Sequence, residues 1–162
     1  MKNVKVVGML SLIAGIIMIV AGGITYGAVS QQLAAENIVV PDDAAFLGGD
    51  KVDGPFSAYA QADIINHHAL EASEGKTYAE LGALSGAAKA AGDQELADKY
   101  QGQRDTVMTA SFLRASLFTS VLAFGVAALV IGLGVMFGLI GWAFMGIRPA
   151  ARVDVRDDAI AV

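Results

Sequence analysis

Tyr59, Asp63, His67 and Glu71 recur four residues apart, and on a helix that spacing places all four side chains along one face. Carboxylates and an imidazole so arranged are groups that ligate a divalent metal, and acidic neighbours favour the protonated form of a histidine, which is the chemistry of a pH-responsive group. One straight helix does not close such a site, because residues i and i+8 lie about 12 Å apart. Asp63, His67 and Glu71 are therefore candidate metal or proton ligands only if a second segment joins them; otherwise they form a solvated, salt-bridged face. His68 belongs to the next row, with Phe56, Ala60 and Ile64, and is expected as a hydrogen-bonded histidine of the core.

Other chemistry is missing at the level of motif. The chain has no cysteine, so no disulfide, thiolate site or thiol nucleophile is available. Asp42 and Asp43, and the acidic stretch Asp50 to Asp53, lack the ligand spacing of a calcium loop. Gly48-Gly49 is followed by no Lys-Ser/Thr and opens no phosphate cradle, and no serine occupies a nucleophile elbow. The pattern implies no cofactor, no catalytic residue and a non-enzymatic role.

The elements that carry these residues are set by two uncharged runs, Val6 to Ala28 and Ala115 to Ile147. Each exceeds the roughly 20 apolar residues that cross a hydrocarbon layer. A secretory signal has an apolar core of only about 7 to 15 residues, so residues 6–28 are expected to stay as a transmembrane helix. Lys2 and Lys5 precede the first run and Arg148, Arg152 and Arg156 follow the second; basic residues beside a span stay cytoplasmic. The expected order is a cytoplasmic N-terminus (1–5), a first span (6–28), an acidic extracytoplasmic domain (29–114), a second span with an outer stalk (115–147) and a cytoplasmic tail (148–162). Between Val29 and Leu113 stand 13 Asp or Glu against 5 Lys or Arg, a net of −8. Such a surface repels nucleic acid and anionic lipid.

Helices in lipid associate through small residues that let backbones approach. Gly8, Gly15 and Gly22 fall seven apart, and so do Gly125 and Gly132, with Gly146 in the same phase and Leu139 in the vacant position. An antiparallel hairpin that levels Lys5 with Pro149 sets Gly22 opposite Gly132 and Gly8 opposite Gly146. Gly134, Gly138 and Gly141 make a second stripe about 160° to 200° around the last helix. With Gly23 and Gly27 it suggests a partner seam, for another membrane protein or for a homo-oligomer. The second run is long enough to stand above the bilayer, with Arg114 marking the upper limit of the hydrocarbon and Trp142 and Phe144 suited to an inner aromatic belt.

Outside the membrane the sequence reads as helices. Proline is tolerated in a first turn, so Pro55 starts one. Thr77 with Glu80 forms a capping box ahead of Leu81. Gly92 ends that helix, and Asp93 caps another that runs towards Arg114 and merges with the last span, with Gly102 as a break point. The fold class is thus all-α, a two-span membrane hairpin with a helical outer domain.

Three segments carry a resemblance: Gly-Ala-Val-Ser-Gln-Gln-Leu from Gly27, Asp-Gly-Pro-Phe-Ser-Ala-Tyr-Ala-Gln-Ala-Asp from Asp53, and Thr-Ala-Ser-Phe-Leu-Arg-Ala-Ser-Leu from Thr109. Over roughly Val4 to Ile147 the chain resembles a family of small actinobacterial two-span membrane proteins whose members carry a label as subunits of an aromatic ring-opening dioxygenase. The resemblance implies a cell-envelope setting and transfers no active-site residue. Ring opening needs iron on a set such as two histidines and a carboxylate, and the only two histidines here are adjacent. The expected role is an accessory or scaffolding subunit in the cytoplasmic membrane; the alternative is an extracytoplasmic pH or metal sensor built on Asp63, His67 and Glu71.

Overall fold

The computed structural model describes residues 2–147, and the side chains of residues 3–147. The basic tail Arg148, Arg152 and Arg156, and the side chain of Lys2, lie outside the described residues. Four helices follow in order: α1 (Lys2–Ala35), α2 (Pro55–Ala72), α3 (Tyr78–Ala90) and α4 (Gln94–Gly146). α1, α2 and α3 each pack on α4. At 1.5 Å per residue, α4 is about 80 Å long and α1 about 51 Å. Both are long and apolar enough to cross a membrane. Only 11% of the most apolar stretch of α1 and 17% of that of α4 is buried, so most of their apolar side chains face outward rather than into a protein core. Residues 2–5 form the first turn of α1.

α1 runs against α4 in the opposite direction along a seam of glycines. A methyl group on Gly15 would sit 2.5 Å from the Gly134 carbonyl oxygen and 2.8 Å from the Gly138 nitrogen. One on Gly8 would meet the Gly141 oxygen at 2.9 Å, and one on Gly22 the Ala127 oxygen at 2.9 Å. The Ser11 hydroxyl donates across the seam to the Phe137 carbonyl at 2.8 Å. On α4 the seam residues are Ala127, Ile131, Gly134, Gly138 and Gly141, at alternating spacings of four and three, the pattern of a left-handed helix pair.

This seam corrects the expected pairing. Gly8, Gly15 and Gly22 do face α4, but their counterparts are Gly141 for Gly8, Gly134 with Gly138 for Gly15, and Ala127 with Ile131 for Gly22. Gly125, Gly132 and Gly146 look away, with nothing within 4 Å of an added methyl. The depth is nearly as expected, since Gly22 lands on Ile131, the neighbour of Gly132; the rotation of α4 is not. A stripe with one small residue in seven offers a single contact position per two turns, and Leu139 interrupts it. The stripe at four and three spacing supplies two positions, so the backbones touch continuously.

Caps and turns fix the outer part. α1 ends at Asn37, which takes a left-handed φ of 52° while its side-chain amide donates to the Ala35 carbonyl. Residues 38–40 and 49–52 then clip together: Val40 N donates to Asp50 O and Val52 N to Ile38 O. The Ser57 hydroxyl accepts from Asp53 N and Gly54 N at 3.2 Å each and so starts α2. Thr77 and Glu80 form the expected capping box: Thr77 Oγ1 accepts from Glu80 N and Glu80 Oε2 accepts from Thr77 N at 2.8 Å. Asp93 caps α4 by accepting from Leu96 N at 3.0 Å. α4 then continues unbroken through Gly102, because the neighbouring turns carry its backbone hydrogen bonds across that position. The outer core is built of small side chains: Ala58, Ala62, Leu81 and Ala97 are fully buried, and Val40, Val52, Leu117 and Phe124 close it towards α1.

Candidate functional site

The expected ligand row is on one face of α2, and it faces solvent. Asp63, His67 and Glu71 are all exposed. His67 Nε2 lies 3.2 Å from Glu71 Oε1, a pair one turn apart. Among the described residues, no three or more His, Asp or Glu side chains stand together as a metal would need. No second segment brings a ligand to Asp63, so the row is left as surface with one exposed pair. Tyr59 turns instead to other aromatics. Its ring is 6.1 Å from Phe46, nearly parallel, and 5.9 Å from Phe118, edge on. Arg114 extends this row, with its guanidinium 5.9 Å from the Phe118 ring.

His68 is not in the core. Its Nε2 meets Asp43 Oδ2 at 2.7 Å, with both side chains about half exposed or more. The row of Phe56, Ala60, Ile64 and His68 is buried only at Ala60 and Ile64, while Phe56 is 75% exposed. The 38–52 loop folds back over α2, and this supplies a partner that helical spacing cannot show. The hydrogen bond from His68 holds the Asp43 carboxyl below its ordinary value. At the far end of α2, Glu74 binds Lys76 at 2.7 Å and Lys99 at 3.1 Å. Those two ammonium groups, Lys76 first, lower its pKa from 4.5 to about 2. The Glu80 carboxyl is also lowered, mainly by the Thr77 backbone N–H. Asp43 and Glu74 tie separate segments together, while Glu80 closes the cap of its own helix.

The feature that sequence reasoning missed is a groove of about 740 Å³ where the end of α1, α2 and the middle of α4 meet. Its floor is apolar, with Val29, Leu33, Ile65 and Leu117; its rim is polar, with Gln32, Glu36, Gln61 and Ser120. The Gln61 Oε1 atom is buried with no hydrogen-bond partner. A second hollow of about 550 Å³ continues from it past the shared residues Ile65 and Leu113 to His68 and Asp105. Three helices far apart in sequence build this groove, and its only trace in the sequence is the cluster of uncharged polar residues Ser116, Thr119 and Ser120 at the start of the 115–147 run. Comparison with protein-family models, with curated proteins and with solved structures gives no match.

Proposed function

We propose that the chain is a non-enzymatic integral membrane protein of the cell envelope, an accessory or scaffolding subunit that docks another transmembrane helix. In this reading α1 and α4 cross the cytoplasmic membrane as a hairpin, with both chain ends in the cytoplasm and residues 29–114 outside. Lys5 at one end and the Tyr26–Phe124 ring pair, 4.7 Å apart, at the other support that placement, since cations and aromatic rings gather at the two interfaces. Phe56 supports it too. It is exposed, and it shares a hollow with Tyr26 of α1, as a ring at the outer edge of the lipid would be in this reading.

The observation that carries the reading is the free glycine stripe. The hairpin uses Gly134, Gly138 and Gly141 for itself and leaves Gly125, Gly132 and Gly146 open on the outer flank of α4, with Gly23 and Gly27 open on α1. Small residues facing lipid in a row admit close approach by a further helix. That helix belongs to another membrane protein or to a second copy of this chain. Ring-opening activity has no comparable support: His67 and His68 stand 6.4 Å apart and engage Glu71 and Asp43 separately. The test is affinity purification in mild detergent followed by mass spectrometry and sizing. A stoichiometric membrane partner or an oligomer is expected, lost in Gly132→Ile while Gly138→Ala keeps it. Recovery of the wild-type chain as a lone monomer overturns the proposal.

A further inference from the structure

We infer that the groove between α1, α2 and α4 binds a membrane amphiphile with an uncharged, hydroxyl-bearing head, such as a glycerol or sugar lipid. The inference rests on the membrane placement proposed above and adds a ligand to it. Counted from Lys5, about 20 residues of helix exhaust a hydrocarbon layer, which brings Ala28 and Val29, at the lower end of the groove, to headgroup depth and sets Glu36 above it. A groove opening there receives the head and the first part of a chain whose remainder lies in the outer leaflet. Its volume of about 740 Å³ is in the range of sites that take a molecule of that size.

The head is specified by which hydrogen-bonding groups are free. Thr119 Oγ1 donates to the Ala115 carbonyl at 2.8 Å and Ser120 Oγ to the Ser116 carbonyl at 3.3 Å. With their protons committed to the backbone, both oxygens offer only lone pairs to the groove. Gln61 Oε1 is buried and unpartnered, and rotation of its amide presents that oxygen to a donor. Glu36 is the sole charged residue in the lining, again an acceptor. The Gln32 and Gln61 amides and the Ser116 hydroxyl add donors, so the wall both donates and accepts, as hydroxyl groups do, and carries one negative charge. A phosphate or carboxylate head would bring like charge to Glu36. The hollow beyond Ile65 and Leu113 gives room for a head larger than glycerol.

The experiment places the full chain in phosphatidylcholine nanodiscs with a diazirine-bearing monooleoylglycerol, photolyses it and maps the label by mass spectrometry. Label is expected on residues 113–123 and around Gln61. Unlabelled monooleoylglycerol should displace it at about one tenth the concentration needed with oleoyl lysophosphatidic acid, the difference one lost or gained hydrogen bond makes. Thr119→Phe fills the groove from an exposed position and should cut labelling about tenfold, as a steric block in a packed site does, with melting temperature unchanged. Should that variant misfold, Glu36→Gln, at an exposed position, gives the second reading, in which discrimination against the anionic competitor narrows. Label spread evenly over the lipid-facing sides of α1 and α4, undiminished labelling in Thr119→Phe, or equal competition by the anionic lipid would overturn the inference. Release of the chain from membranes by alkaline carbonate would show separately that the membrane placement itself had failed.

Discussion

The lower half of the hairpin and the cap above it are both helix packed on α4, but they are held by opposite means. Below, the contact is backbone to backbone: carbonyl oxygens of Gly134 and Gly141 sit where a methyl on Gly15 or Gly8 would have to go. Above, the contact is side chain to side chain, with alanines of α2 and Leu81 of α3 buried against α4, and polar ties such as Ser85 Oγ donating to the Ala97 carbonyl at 3.1 Å. In the membrane placement proposed above, the solvent on each side accounts for the difference. In lipid, apolar side chains gain nothing by leaving the surroundings, so close approach and dispersion are what remain. In water, burial of even small apolar groups contributes about 25 cal/mol per Å². One helix, α4, changes its packing rule along its length.

Substitutions that add volume break the comparison most sharply at the seam. Gly15→Val is expected to separate α1 from α4, at a cost of about 3 kcal/mol or more, the upper part of the overpacking range. Neither helix can yield, because the atoms in the way are backbone. Gly132→Val meets open space and should leave the hairpin intact. Cysteine pairs at Ser11 and Phe137, which the wild-type seam holds in contact without using a glycine, would crosslink in the Gly132→Val background and fail in Gly15→Val. Equal crosslinking in both backgrounds would place the seam elsewhere.

How far the sequence reaches follows the same division. Helix boundaries were legible where a local signal writes them: Pro55 at the start of α2, the Thr77 and Glu80 box, Gly92 with a φ of 80° after α3, and the fusion of the outer helix with the last span. Both glycine stripes of α4 were legible as stripes, and the choice between them was not. Heptad phase says which residues share a face, but only the fit of both backbones says which face is used. His68 and Tyr59 were misplaced because their partners, Asp43 and Phe46, arrive from a loop whose path depends on the Ile38 to Val52 clip. The groove was invisible for the same reason, being a property of three helices at once.

In the cap the largest expected effect comes from removing volume. Leu81 is fully buried on α3, so Leu81→Ala should destabilise the outer domain by about 2 to 4 kcal/mol. Hydrogen exchange should then rise across α3 and the first turns of α4 while the 8–22 and 127–141 segments stay protected. Uniform loss of protection would mean that the two halves unfold as one unit. Thr77→Ala removes one cap acceptor and loosens Glu80; about 1 kcal/mol is expected, read as faster exchange confined to the first turn of α3.

The smallest effect is electrostatic and depends on pH. Glu74 takes a left-handed φ of 55° at the end of α2 and joins that turn to α4 through Lys99 and to the next turn through Lys76. Its pKa falls from 4.5 to about 2 on folding, so the folded state holds the carboxylate more strongly than the unfolded chain does. The stability this gives is present in full above pH 4.5 and is lost as pH falls towards 2. Because the carboxylate is exposed, the gain is screened by water and salt. The gap in melting temperature between wild type and Glu74→Gln should accordingly be small at neutral pH in low salt, narrow further at high salt, and vanish between pH 4.5 and 2. A gap that stays constant through that interval would mean the turn is held by its backbone, through Gly75 N donating to Leu70 O at 2.7 Å, and that the lysines add nothing.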